Sequence, residues 1–200
     1  MSVGKLAVRL VVGGLFVGHG LQKLKGWFGG PGIEGTEKMM DATGMQPARA
    51  QAIAAGATEA AAGAMLAAGF LTPLASAGIV GVMTTAIRKV HAEKGVWNAQ
   101  GGWEYNAVLI ASAFALAEAP GRLSLDAAMG RKKWGAGWAL GAIAAGAAGS
   151  AAAMRLGAAM RDRGVVPVKA VEENTGVGDA EQGLGGDLGR SGAQPSAEEV

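Results

Sequence analysis

The sequence predicts an all-α membrane protein, with a four-helix transmembrane bundle, a probable fifth transmembrane helix and a disordered acidic C-terminal tail. Half of its 200 residues are hydrophobic and only 17% are charged, and the mean hydropathy is +0.26. The apolar residues fall into five long segments, which are separated by glycine-rich or charged connections. This alternation of apolar segments and polar turns is typical of membrane bundles.

The first apolar segment, residues 3–24, is predicted to be one helix with a polar stripe. At about 100° per residue, Lys5, Arg9, His19 and Lys23 lie within one narrow arc. Charges in hydrocarbon cost several kcal/mol, so we expect this stripe to face protein or a water-filled cavity.

A glycine-rich connection leads to the next two helices. Within it, residues 33–40 fit either a short amphipathic helix at the membrane interface or a solvated loop. Pro47 suits the first turn of a second helix, whose apolar surface Glu59 interrupts. Pro73 opens a third helix. The short, uncharged connection between these two helices predicts an antiparallel hairpin.

The third helix is expected to end near Ile87 in a charged run, with Thr84, Arg88 and His91 on one helical face. A fourth helix is predicted over residues 104–119. In a bundle of alternating helices, the end of the first helix, the end of the third and the start of the fourth lie on the same side of the membrane.

Residues 134–154 give the clearest prediction of a spanning helix, because they contain no charge. Small residues recur in this segment at a spacing that permits close helix packing, and the same holds for Gly14 and Gly18. The small residues are Gly137, Gly141, Ala145 and Gly149. We therefore expect three parts: residues 1–129, residues 130–163 with the fifth helix, and the acidic tail, residues 164–200. Basic residues occur in connections on both sides of the predicted bundle, so they do not indicate its orientation in the membrane.

Composition excludes several classes of function. The chain has no cysteine, so it forms no disulfide or thiolate site of its own, and the weak net charge of +2 gives no support to nucleic-acid binding. It has two histidines, so any metal or haem site needs both, or ligands from a partner. A haem held by His19 and His91 is conceivable but has no other sequence support, and we expect no metal.

Four motifs occur in order between the apolar segments. They are LFVGHGLQKLKG at residues 15–26, Glu59 followed by GFLTPL at residues 69–74, HAEKGVW and GWEYN at residues 91–97 and 102–106, and GRLSLD at residues 121–126. Over residues 5–129 the chain thereby resembles the DoxX family of bacterial membrane proteins. The resemblance implies a four-helix bundle in the bacterial inner membrane and an association with redox or oxidative-stress enzymes. The alanine- and glycine-rich composition is typical of an actinobacterial protein.

Seven polar residues form the candidate ligand site. His19 would hydrogen-bond a quinone carbonyl and pass a proton, and Glu59 would donate or accept a proton. Lys23 and Arg88 would offset negative charge on a reduced quinone or on an oxyanion. The alternative is a structural network, in which buried ion pairs fix the helix register. The candidate residues are His19, Lys23, Glu59, Arg88, His91, Glu104 and Tyr105.

Two hypotheses of function follow. The first is a subunit of a redox-linked membrane complex that binds quinone or a small sulfur oxyanion and works with an electron-carrying protein partner. A partner is needed because the chain has no cysteine and no obvious cofactor motif. The second is a noncatalytic scaffold that anchors a partner protein, through the fifth helix or the tail.

Overall fold

The computed structural model describes residues 3–163, and it contains no β-strand within that range. The helices are α1 (Val3–Lys25), α2 (Gly32–Ala42), α3 (Ala48–Ala68), α4 (Thr72–Ala86), α5 (Glu104–Glu118), α6 (Leu125–Ala128) and α7 (Ala136–Asp162). The predicted all-α fold is therefore confirmed for these residues. The predicted disorder of residues 164–200 falls outside them.

Helices α1 and α3 pack antiparallel and in very close contact. A Cβ added to Gly13 would lie 2.6 Å from the carbonyl oxygen of Gly63, and one added to Gly20 would lie 2.6 Å from that of Gly56. Only glycine lets the two backbones approach this closely. The close contact was predicted for Gly14 and Gly18, but added Cβ atoms there have no neighbour within 4 Å.

The bundle has two ends with different polar residues. The Arg9 end contains the start of α1, the α3–α4 turn, the end of α5 and α6. The His19 end contains the end of α1, all of α2, the start of α3, the end of α4 and the start of α5. A core of apolar side chains, including Phe16, Leu66 and Ile79, separates them.

Arg9 and Asp126 fix the Arg9 end. Arg9 is 1% exposed and donates to the carbonyl oxygen of Pro120 at 3.0 Å and to that of Leu123. The Asp126 carboxylate accepts from the backbone amides of Leu71 at 2.8 Å and Thr72 at 3.0 Å, and so caps the start of α4 from another part of the chain. The predicted polar stripe of α1 is thus divided, because its first half binds this closing segment.

Helix α7 packs against α4 and α5. The contact is made by Gly146, whose added Cβ would lie 2.6 Å from the carbonyl oxygen of Ala77. The small residues that were predicted to pack closely do not make this contact, since Cβ atoms added to Gly137, Gly141 and Gly149 meet nothing within 4 Å. Close packing by small residues thus occurs on a different face of α7 from the one that the four-residue spacing indicated.

Two helices in residues 3–163, α1 and α7, are long and apolar enough to cross a membrane. Helices α4 and α5 have 15 residues each, about 22 Å of α-helix, against a hydrocarbon core of about 30 Å. Helix α3 is longer, but it carries Arg49 and Glu59. The structure is consistent with a membrane protein, and the number of spans stays a prediction.

Candidate functional site

A cavity of about 710 Å³ lies at the His19 end, and α1, α2, α3, α4, α5 and α7 all contribute to its walls. Most of the lining is apolar. Its larger apolar side chains are Phe16, Met39, Met40, Met45, Met83 and Leu109. Unbranched methionine side chains adapt their shape to different ligands. A cavity of this size and character is typical of small-molecule sites.

An ion pair between Lys23 and Glu59 lies in the wall formed by α1 and α3. Lys23 Nζ is 2.7 Å from Glu59 Oε2, and the two side chains are 20% and 3% exposed. Gly56 makes room for Leu24 and for the stem of Lys23, since a Cβ added there would lie 2.7 Å from Cγ of Leu24 and 3.3 Å from Cβ of Lys23. Oε2 of Glu59 nevertheless has no hydrogen bond of good geometry within the described chain. The carboxylate therefore retains capacity to accept a hydrogen bond.

Both histidines line the cavity, and each has one ring nitrogen engaged. Nδ1 of the exposed His19 is 3.0 Å from Oε1 of Gln22, and Nδ1 of the half-buried His91 is 2.6 Å from the carbonyl oxygen of Gly101. When Nδ1 donates to these oxygens, Nε2 accepts in the neutral ring and donates in the protonated one. Nε2 is therefore the ring nitrogen with which each histidine can hydrogen-bond a ligand.

A π-helical segment, Ile87–His91, follows α4. Within it Lys89 and His91 line the cavity, whereas Arg88 is exposed and does not. Val82 and Thr85 of α4 also line the cavity, and Lys89 continues their helical face. Lys89 Nζ also donates to the carbonyl oxygen of Thr43 at 3.1 Å, just beyond α2.

The start of α5 supplies Tyr105 and Asn106 to the cavity. Tyr105 is exposed, whereas Asn106 is buried and donates to Sδ of Met83 at 3.3 Å. Glu104 does not line the cavity, because its Oε1 accepts from the backbone amide of Asn98 at 2.7 Å.

Five of the seven predicted site residues therefore share one cavity. They are His19, Lys23, Glu59, His91 and Tyr105. Arg88 and Glu104 lie outside it. Lys89, Gln51 and Asn106 also line the cavity, and they were not predicted from the sequence. The position of Asn106 in the GWEYN motif was the available signal for one of them.

The structure contains no group of three or more His, Asp or Glu side chains in residues 3–163 that could hold a metal ion. Burial of the Asp126 carboxylate raises its pKa, but hydrogen bonds from Thr72, Trp134 and Leu71 outweigh that effect and hold the pKa below its ordinary value. Asp126 is therefore a stable anion at the opposite end of the bundle from the cavity.

Comparison with curated proteins and with solved structures found no match. The family model DoxX matches residues 4–92, which contain α1 to α4 and the π-helical segment. The GWEYN and GRLSLD motifs lie beyond the matched range. Over residues 4–92, the resemblance of this chain to the DoxX family, a family of membrane proteins, is confirmed.

Proposed function

We propose that this chain is a multi-pass protein of the bacterial inner membrane that binds a quinone in the cavity as a subunit of a redox-linked complex. The observation that carries the proposal is the Lys23–Glu59 pair, with Glu59 only 3% exposed, in the wall of a mostly apolar cavity. Intramembrane ionisable residues that face a cavity are typical of functional sites. The DoxX resemblance supports the membrane location and adds the expectation of redox work.

The size and lining of the cavity favour a quinone over a small sulfur oxyanion. A volume of about 710 Å³ with mostly apolar walls matches a ring that carries an apolar tail. A small oxyanion would leave most of this space empty and would be surrounded by apolar side chains. The hydrogen-bonding groups in the lining are sufficient to orient a quinone carbonyl.

Reduction of a quinone to a quinol takes two electrons and two protons. A protein partner that carries a redox cofactor would supply the electrons, because no cysteine is present in this chain. His19, His91 and Glu59 would supply or relay the protons, and Lys23 would offset the negative charge that develops on the ligand. Oxidation of a quinol uses the same groups in reverse.

The test is quinone-linked turnover of the complex in native membranes, measured for the variants His19→Ala and Glu59→Gln. We expect each variant to lose most of the activity while the protein still inserts and purifies as one species. Glu104→Gln is the matched control, because Glu104 lies outside the cavity. Full activity in both cavity variants would contradict the proposal and leave the scaffold hypothesis.

A further inference from the structure

Asn106 differs from the other buried neutral polar residues that line the cavity. Gln51 donates to two backbone carbonyl oxygens, and Ser150 accepts from Thr85 at 2.8 Å. Asn106 is only 7% exposed, and its one hydrogen bond within residues 3–163 is to the thioether of Met83. Sulfur is a weak acceptor, and an amide side chain has two donors and one acceptor to satisfy.

The Asn106 amide and the ion pair are carried by different helices that line the cavity. Asn106 belongs to α5, which packs on α4 and α7, whereas Lys23 and Glu59 belong to the closely packed α1 and α3. Helix α5 has only slight contact with α1. Apolar side chains, among them Phe16 and Leu109, line the cavity as well.

We infer that Asn106 is a specificity-determining residue, which hydrogen-bonds a second polar group of the ligand away from the one at Lys23 and Glu59. The cavity then selects amphipathic molecules with two separated oxygen functions over molecules with one. The basis is that the Asn106 amide has only a weak sulfur acceptor as its partner among residues 3–163, so it can donate a stronger hydrogen bond to a ligand oxygen. This inference rests on the proposed function, because it concerns the same cavity.

The experiment compares two probes that differ in one oxygen. The full-length protein in detergent is titrated with an alkyl-substituted 1,4-naphthoquinone and with the corresponding 1-tetralone, which has a single carbonyl. Quenching of tryptophan fluorescence reports binding. We expect the wild-type protein to prefer the dione by about tenfold, the contribution of one hydrogen bond.

Asn106→Leu should bind the two probes with equal affinity while retaining the wild-type affinity for the tetralone. Asn106→Ala serves as a second variant if the leucine side chain prevents folding. Asn98→Leu is the control, because Asn98 also lines the cavity but is exposed to water. It should keep the preference for the dione.

Two results would overturn the inference, and they can be told apart. If the wild-type protein binds neither probe, the proposed function fails and the inference fails with it. If the wild-type protein binds both probes but the Asn106 variants keep the tenfold preference, only the role of Asn106 is wrong.

Discussion

Lys89 and Arg88 are neighbours in the chain with different surroundings, which makes them a matched pair for mutation. Lys89 lines the cavity, and Arg88 does not. We expect Lys89→Ala to weaken binding of an alkyl naphthoquinone at least tenfold, because it removes a cation that can donate to the ligand. Arg88→Ala should change the affinity less than twofold in the same fluorescence titration. Equal losses of affinity in both variants would contradict the placement of Lys89 in the cavity wall and of Arg88 outside it.

Asp126 is the residue whose protonation should matter most for stability. Its pKa lies below the ordinary value in the folded chain, so its stabilising contribution is present above the unfolded-state pKa of about 4 and is lost as the pH falls through the folded-state value. We expect Asp126→Asn to lower the free energy of unfolding by about 2 kcal/mol at pH 7. The difference in stability between this variant and the wild type should shrink below pH 4. Thermal unfolding monitored by size-exclusion chromatography measures it. A constant difference from pH 7 to pH 3 would exclude this role.

Helix order alone places helix ends on one side of a bundle, and it placed His19, Glu59 and His91 near one another without any knowledge of packing. Lys89 was not predicted, although it lies four residues after Thr85 on the same helical face. Nor did helix order predict the function of Asp126, whose hydrogen-bond partner Thr72 is 54 residues away in the chain.

At the level of helices, the α1–α3 contact gives a sharp prediction. An alanine at position 13 would place its Cβ 2.6 Å from the carbonyl oxygen of Gly63, so the helices would have to separate. We expect Gly13→Ala to cost about 1–3 kcal/mol of stability. Gly14→Ala is the control, because its Cβ meets nothing within 4 Å and alanine favours the helix. Similar unfolding temperatures for the two variants would show that the helices can separate at little cost.

The helices themselves were easier to predict than the faces that they bury. Apolar runs and prolines gave α1, α3, α4 and α5 to within a few residues, whereas α7 continues to Asp162, eight residues beyond its predicted end. Helix α2 is a helix rather than the alternative loop. The packing faces of α1 and α7 depend on which glycines meet a neighbouring backbone. Gly13 and Gly20 are seven residues apart, as are Gly56 and Gly63, and this shared spacing was the signal in the sequence for the α1–α3 contact.

For the whole molecule, the structure sorts the basic residues by end, which the sequence alone did not do. The His19 end contains more of them than the Arg9 end. Those at the His19 end are Lys23, Lys25, Lys38, Arg49, Arg88, Lys89, Lys94, Arg155, Arg161 and Arg163, and those at the Arg9 end are Lys5, Arg9, Arg122, Arg131, Lys132 and Lys133. Because the connections of a membrane protein that are richer in Lys and Arg lie in the cytoplasm, we expect the cavity to open towards the cytoplasm.

Reporter fusions test this orientation. A fluorescent protein fused to the C-terminus should fluoresce, and alkaline phosphatase at the same site should be inactive, because α7 ends at the His19 end. Fusions after Gly130, at the Arg9 end, should show the opposite pattern. The reverse result at both sites would place the cavity on the outer face.

The hydrogen bonds of Arg9 also bear on how the protein is made. Its acceptor Pro120 lies 111 residues further along the chain, a stretch that takes roughly 6–22 s to synthesise at the usual rate of translation. During that time α1 carries a guanidinium whose final partners do not yet exist, which opposes its release into lipid. We therefore expect the first helix to complete its insertion only after the closing segment has been synthesised, so that the order of assembly in the membrane differs from the order of synthesis.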